Sequence, residues 1–104
     1  MKYRILKTDK AEDQIRSIIH YIADETGDAM VALSYLEKME KAIERLEDLP
    51  ESGQIPRYSI LKKQGYRVVI MDQHLAFYKV NHAERVATIY AVVDGRQEYL
   101  RLIE

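Results

Sequence analysis

The 104-residue chain contains no cysteine and no tryptophan, a single phenylalanine, two prolines and four glycines. Without thiols it has neither disulfide stapling nor a thiolate zinc site. There is no run of about 18 apolar residues and no charged, apolar and small-residue pattern of the secretory type at the start, which argues against a membrane span or leader and makes the cytoplasm the expected compartment. Gly-rich phosphate loops, low-complexity tracts and internal repeats are also missing. His20, His74 and His82 have no second histidine or carboxylate at metal-ligand spacing, so they read as surface or structural residues, and no metal or cofactor is expected. Ser34, Ser52 and Ser59 lack a glycine-flanked nucleophile elbow. Asp24-Glu25 and Glu47-Asp48 are consecutive and therefore diverge, as helix-end charges do.

What is present suits a compact globular chain: 47% apolar and 32% charged residues in 12.2 kDa, enough for one core and a single domain spanning 1–104. The net charge of −1 hides an asymmetry. Residues 1–56 carry eight Lys/Arg against twelve Asp/Glu, a net of −4, whereas 57–104 carry eight against five, a net of +3. Between Glu51 and Asp72 there is no acid at all, only Arg57, Lys62, Lys63 and Arg67. Such a stretch suits phosphates or an acidic partner, although a solvated basic loop would look the same.

Periodicity outlines the elements. Residues 2–7 alternate imperfectly and predict a short strand. Thr8 or Asp9 can then cap a helix over 9–25, with Ala11, Ile15, Ile18, Ile19 and Ile22 on one stripe and Gly27 as its stop. Asp28 can cap a second, longer helix ending near Leu49-Pro50, its apolar positions running from Ala29 through Leu36 and Met39 to Leu46. The two-residue joint Gly27-Asp28 allows only an antiparallel helical hairpin. A loop over 51–57 follows, and the period then changes to two. Tyr66 to Met71, Leu75 to Val80 and Val86 to Val93 predict three strands joined by polar turns, an antiparallel meander. A short helix over 96–103 closes the chain, with Tyr99, Leu102 and Ile103 on its apolar side. The expected architecture is α+β, in the order β-αα-βββ-α, with the helical hairpin on one face of a small, mainly antiparallel sheet. The other face has no evident cover in the chain.

No conventional catalytic signature occurs. Around the sheet, however, lie Arg57, Tyr58, Lys62, Lys63, Tyr66, Arg67, Tyr78, Lys79, Arg96 and Tyr99, side chains able to hold phosphates, stack on bases or move a proton. Tyr3, Tyr21, Tyr35 and Tyr90 read as core-edge residues. Arg67 and Arg96 are placed to stand beside the open sheet face.

The order of elements, the Leu49-Pro50-x-x-Gly53 loop, Gly65-Tyr66-Arg67-Val68, Phe77-Tyr78-Lys79-Val80 and the closing Asp94-Gly95-Arg96-Gln97-Glu98-Tyr99 together resemble the RelE/ParE superfamily of type II toxin-antitoxin toxins, the plasmid stabilisation proteins, over essentially the whole chain. The resemblance implies a growth-inhibiting toxin neutralised by a cognate antitoxin, whose tail would cover the sheet. It also implies one of two targets. RelE-like members cut messenger RNA on the ribosome without a metal; here Arg67 and Arg96 would hold the scissile phosphate and Tyr99 would act as general acid or base. Lys62 and Lys63 would grip neighbouring phosphates, with Arg57 and Lys79 as further target-binding residues. ParE-like members inhibit DNA gyrase without nuclease chemistry. Val69 and Leu75 stand where RelE-like enzymes carry further bases, and no His-Tyr pair closes the chain, so the ParE-like branch is preferred. A non-toxic protein-binding module is the third reading.

Overall fold

The computed structural model describes residues 2–103, which form one four-stranded mixed sheet with helices on both faces. In chain order the elements are β1 (Arg4–Lys7), α1 (Asp9–Thr26), α2 (Ala29–Glu44), α3 (Ser59–Lys63), β2 (Arg67–Met71), β3 (His74–Asn81), β4 (Val86–Asp94) and α4 (Leu100–Ile103). The strands lie in the order β1-β4-β3-β2, with β1 parallel to β4 and the other pairs antiparallel. Among the described residues, no helix is long and apolar enough to cross a membrane.

Local chemistry sets the helical hairpin. The Thr8 hydroxyl accepts the Ala11 amide at 3.1 Å, so Thr8 caps α1, and Asp9 and Glu12 place negative charge at the positive end of the helix dipole. At the far end Gly27 adopts φ 66°, and its amide returns to the Ala23 carbonyl at 2.9 Å. The Asp28 carboxylate then accepts the Met30 amide at 2.9 Å and starts α2. That helix ends at Glu44 and tightens into a 3₁₀ turn over Arg45–Glu47, short of the expected Leu49-Pro50.

The hairpin covers what we call the inner face of the sheet, where Met39, Ile43 and Leu46 meet Ala76, Tyr78, Ala87 and Ile89. Each of the larger apolar side chains buried here stabilises the fold by about 1.5–3 kcal/mol. Tyr78 is fully buried, and its hydroxyl is satisfied by the residue 50–53 loop: it donates to the Pro50 carbonyl at 2.8 Å and accepts the Gly53 amide at 2.9 Å. A Cβ on Gly53 would lie 2.5 Å from that hydroxyl, so Gly53 is required by the closeness of the loop to the ring. The loop then adds an isolated antiparallel bridge from Gln54 to Val68 at the β2 edge.

Three expectations are corrected. The outer face is not uncovered: α3 and α4 lie on part of it, and Leu61, Tyr66, Val68, Phe77, Val93, Tyr99 and Ile103 form a second core there. The α3 helix falls where a loop leading straight into a strand was expected; five residues are too few to show a helical period. The closing helix is also shorter than 96–103, because Arg96 and Glu98 belong to a turn in which the Asp94 carboxylate accepts the Arg96 amide at 2.8 Å and Glu98 accepts the Leu100 amide at 3.1 Å. In addition, Phe77 pairs with Ala91 but Tyr78 with Ile89, so Tyr90 is the extra residue of a β-bulge and turns to the outer face.

Tyr78→Phe removes the loop's anchor and leaves the Pro50 carbonyl and Gly53 amide without it. Loss of these bonds lowers unfolding stability by about 1–3 kcal/mol, read as a lower urea midpoint at unchanged slope.

Candidate functional site

Arg67, Arg96 and Tyr99 do not converge. Arg67 was expected beside the open face, but the alternation that turns Val69 and Met71 inward carries it to the inner, helix-covered side of the sheet, at the end where it pairs with Tyr78. Its guanidinium donates to the carbonyls of Glu51 (3.1 Å) and Gly53 (3.0 Å), and lies 3.7 Å from the Glu51 carboxylate. Tyr78 in turn pairs with Ile89. Asp94 stands five residues further along β4, or roughly 17 Å at strand rise, and Arg96 lies beyond it. Arg96 makes a two-pronged contact with Asp94, Nε to Oδ1 at 3.1 Å and Nη2 to Oδ2 at 2.8 Å. These contacts hold the Asp94 carboxyl down at about 2. Tyr99 is on the outer face and only 3% exposed, its ring packed against Phe77 and Tyr58. Burial raises its phenol pKa, which keeps it neutral.

The other basic candidates do share a side. Arg57 stacks over Tyr58 at 4.8 Å and Tyr99 at 5.4 Å, and donates to the Tyr58 hydroxyl at 2.9 Å. Tyr58 donates onward to the Glu98 carboxylate (2.8 and 2.9 Å to its two oxygens), joining the α3 lead-in to the closing turn. The Glu98 carboxyl is held below its usual range first by the Leu100 amide and then by Tyr58. Lys62 and Lys63 are exposed on α3. Lys79 sits 4.6 Å over Tyr66 and 5.4 Å over Tyr90, two rings packed edge to face at 5.8 Å. Thus Arg57, Lys62, Lys63 and Lys79 belong to the outer side, away from Arg67.

Two tyrosine–histidine pairs were missed, because their partners are far apart in the chain. At one end of the sheet Tyr3 Oη meets His82 Nδ1 at 2.6 Å, with the Glu51 carboxylate 3.6 Å from Nε2. At the other, Tyr35 Oη meets the buried His74 Nδ1 at 2.6 Å and donates to the Met71 carbonyl at 2.9 Å. One phenol has one proton, so this network assigns the Nδ1 proton to His74, which donates to Tyr35. Burial lowers the His74 pKa, with Asp94 and Asp72 opposing and Arg96 reinforcing that effect. Among the described residues no group of three or more His, Asp or Glu is placed to hold a metal ion.

This α+β arrangement, a mixed sheet with helices on both faces, is shared with solved structures from toxin-antitoxin systems. The chain is similar to one described as the chromosomal ParDE TA system from P. aeruginosa, at 14% identity and TM-score 0.73, covering 89% of this chain and 96% of that one. It is similar to one in the toxin-antitoxin complex RelBE2 from Mycobacterium tuberculosis, at 14% identity and TM-score 0.64, covering 90% and 99%. It is also similar to a free-state mutant of E. coli toxin RelE, at 12% identity and TM-score 0.65, covering 99% and 94%. No curated protein matches the chain significantly by sequence. The sequence profile of the ParE toxin of type II toxin-antitoxin systems, parDE, matches residues 5–99, and the chain belongs to that family.

The His74 network makes stability pH-dependent. With its folded pKa below the unfolded value of about 6.5, the unfolded chain binds more protons between the two. The contribution is therefore complete above about pH 6.5 and is lost as pH falls toward the folded value, at no more than about 1.4 kcal/mol per pH unit. Thermal melts of wild type and His74→Asn between neutral pH and about pH 5 should show a shallower pH slope in the variant.

Proposed function

We infer that the chain is the growth-inhibiting toxin of a type II pair, held inactive by a cognate antitoxin and directed at DNA gyrase without nuclease chemistry. The observation that carries the non-nucleolytic choice is the separation of Arg67, Arg96 and Tyr99. A phosphodiester cut needs charge-stabilising and proton-moving groups around one phosphate. Here the two arginines stand at opposite ends of the sheet, each bound to protein oxygens, and the tyrosine is buried. Membership of the ParE toxin family supports the same branch.

An antitoxin partner is supported by the ParDE and RelBE2 neighbours, which are themselves toxin-antitoxin systems. The surface it would cover includes the apolar groove between α1 and α2, floored by Ile15, Ile19, Leu36, Met39 and Ile43. A second reading, a RelE-like ribosome-dependent endoribonuclease, is favoured by the shared outer side of Arg57, Lys62, Lys63 and Lys79. In that reading these bases dock RNA, and the arginines must exchange their present partners.

Induction without antitoxin should arrest growth, and the purified chain should inhibit gyrase supercoiling. Primer extension on translated messages should show no new cuts. Codon-positioned cuts lost in Arg67→Ala and Arg96→Ala would instead establish the nuclease, and absence of growth arrest would leave a non-toxic binding module.

A further inference from the structure

The part of the outer face that α3 and α4 leave open is a groove where β1, β4 and β3 lie side by side, lined among others by Arg4, Leu6, Lys79, Thr88, Tyr90 and His82. Arg4 and Leu6 alternate with Ile5, which points into the inner core, so both belong to the outer side. The bulge at Tyr90 turns that ring outward as well, where it packs against the outer core. We propose that this groove is a binding site for single-stranded nucleic acid, with Arg4 and Lys79 on phosphates and the Tyr90 ring and Leu6 as the apolar floor beneath an unpaired base.

Four features carry the proposal. First, the Lys79 ammonium is already positioned, held over the Tyr66 and Tyr90 rings, so little side-chain freedom remains to be lost on binding. Second, Leu6 is 45% exposed beside a partly exposed tyrosine; bases have apolar faces that suit such a floor, whereas a bare phosphate does not need one. Third, the cations run from Arg4 on one edge strand to Lys79 two strands away, and on to Arg57, Lys62 and Lys63 at and beside α3. At about 4.8 Å per strand the sheet is roughly 14 Å wide, which a chain of phosphates can follow and a single phosphate cannot. Fourth, the opposing acids are few. Glu84 lies at the groove, Glu51 lies 3.6 Å from the groove-lining His82 but also faces Arg67, and Glu98 is engaged by Tyr58 and the Leu100 amide. The helical layer on the far side, residues 9–44, carries nine acids against four bases, so a polyanion is steered toward the groove and away from the helices.

The site is independent of the gyrase reading, since oligonucleotides alone test it. Fluorescence anisotropy with the full chain and labelled DNA and RNA strands of about 12 nucleotides, across about 50–200 mM salt, should show binding that weakens with salt by about 0.7 in log–log slope per phosphate contact. Arg4→Gln and Lys79→Gln should each weaken binding several-fold and flatten the slope by about that amount. Tyr90→Leu should weaken binding at unchanged slope, with circular dichroism checking its fold. Because Arg4 is exposed and Lys79 lies at the surface, those two variants keep the test decisive if Tyr90→Leu does not fold. Binding of either strand supports the site, and a preference for DNA or RNA identifies the source. The proposal is overturned if no strand binds at the lowest salt, or if duplexes bind as tightly as single strands. Displacement by poly-glutamate as effective as by unlabelled strand overturns it too, as does unchanged binding in both glutamine variants. Oligonucleotide binding without gyrase inhibition would sink the gyrase reading and leave the groove standing; the reverse result would do the opposite.

Discussion

The fold depends on β3 being buried on both faces at consecutive residues. Phe77 and Tyr78 are both fully buried, one in the outer core and one in the inner. A strand in that position must be covered twice, which one helical hairpin cannot do. The chain meets the inner requirement with α1 and α2 and the outer one with α3 and α4. Tyr78 brings a hydroxyl with it, and a buried hydroxyl needs partners. The Pro50 carbonyl and Gly53 amide supply them, so the loop after the hairpin is drawn onto the sheet. The same loop carries Glu51, beside Arg67 and His82, and Gln54, which extends the sheet at β2. One buried phenol thus determines where that end of the molecule presents its charges.

The helical hairpin was legible because each of its helices is half-buried, and half-burial writes a period of 3.6 into the residues; the meander was legible as short runs of apolar and β-branched residues bounded by polar turns. Thr8, Gly27 and Asp28 were legible as caps because capping is local chemistry. The outer cover was not, since Leu61 and Ile103 each occupy one position of a four- or five-residue helix, where no period can develop. The Tyr90 bulge was hidden for a related reason: one extra residue leaves strand composition intact and changes only which face follows. Among the candidate site residues, Arg67 was expected beside the open face and lies on the inner side instead, because which face of β2 the hairpin covers is decided by partners distant in the chain, as are the two carbonyls that hold its guanidinium. The Asp94–Arg96 contact had a local signal, an aspartate two residues before an arginine in a turn. The Tyr35–His74 pair had none, its members lying 39 positions apart.

The charge asymmetry bears on partners more than on stability. The ion pairs of the helical layer, such as Lys41–Glu37 and Arg16–Asp13, are exposed pairs at helical spacing, each worth about 0.3–0.5 kcal/mol. Stabilisation on that scale would be met equally well by bases and acids spread over both faces. Segregating them, with acids on the hairpin and bases around α3 and the outer groove, does not add to those pairs. It creates a field with direction, which governs how charged partners approach.

That field separates the two sets of cations in the molecule. Arg67 and Arg96 are already donors to protein oxygens; for the partly shielded Arg67 such charge-assisted hydrogen bonds contribute up to about 1.5–3 kcal/mol, whereas those of the exposed Arg96 are screened by solvent. Arg67, the less exposed of the two, has more to lose on leaving its carbonyls than Arg96, whose side chain is 66% exposed. A reaction using both must break these contacts and bring together ends of the sheet that the strands hold roughly 17 Å apart or more. Lys79 rests on aromatic faces and Arg4 stands on the edge strand beside it, so a phosphate approaching the outer groove requires no such rearrangement. The same fold therefore offers a binding surface more readily than a cleavage centre. The reason lies in the strand geometry itself, which sets the basic residues on two sides and at two ends of one rigid sheet.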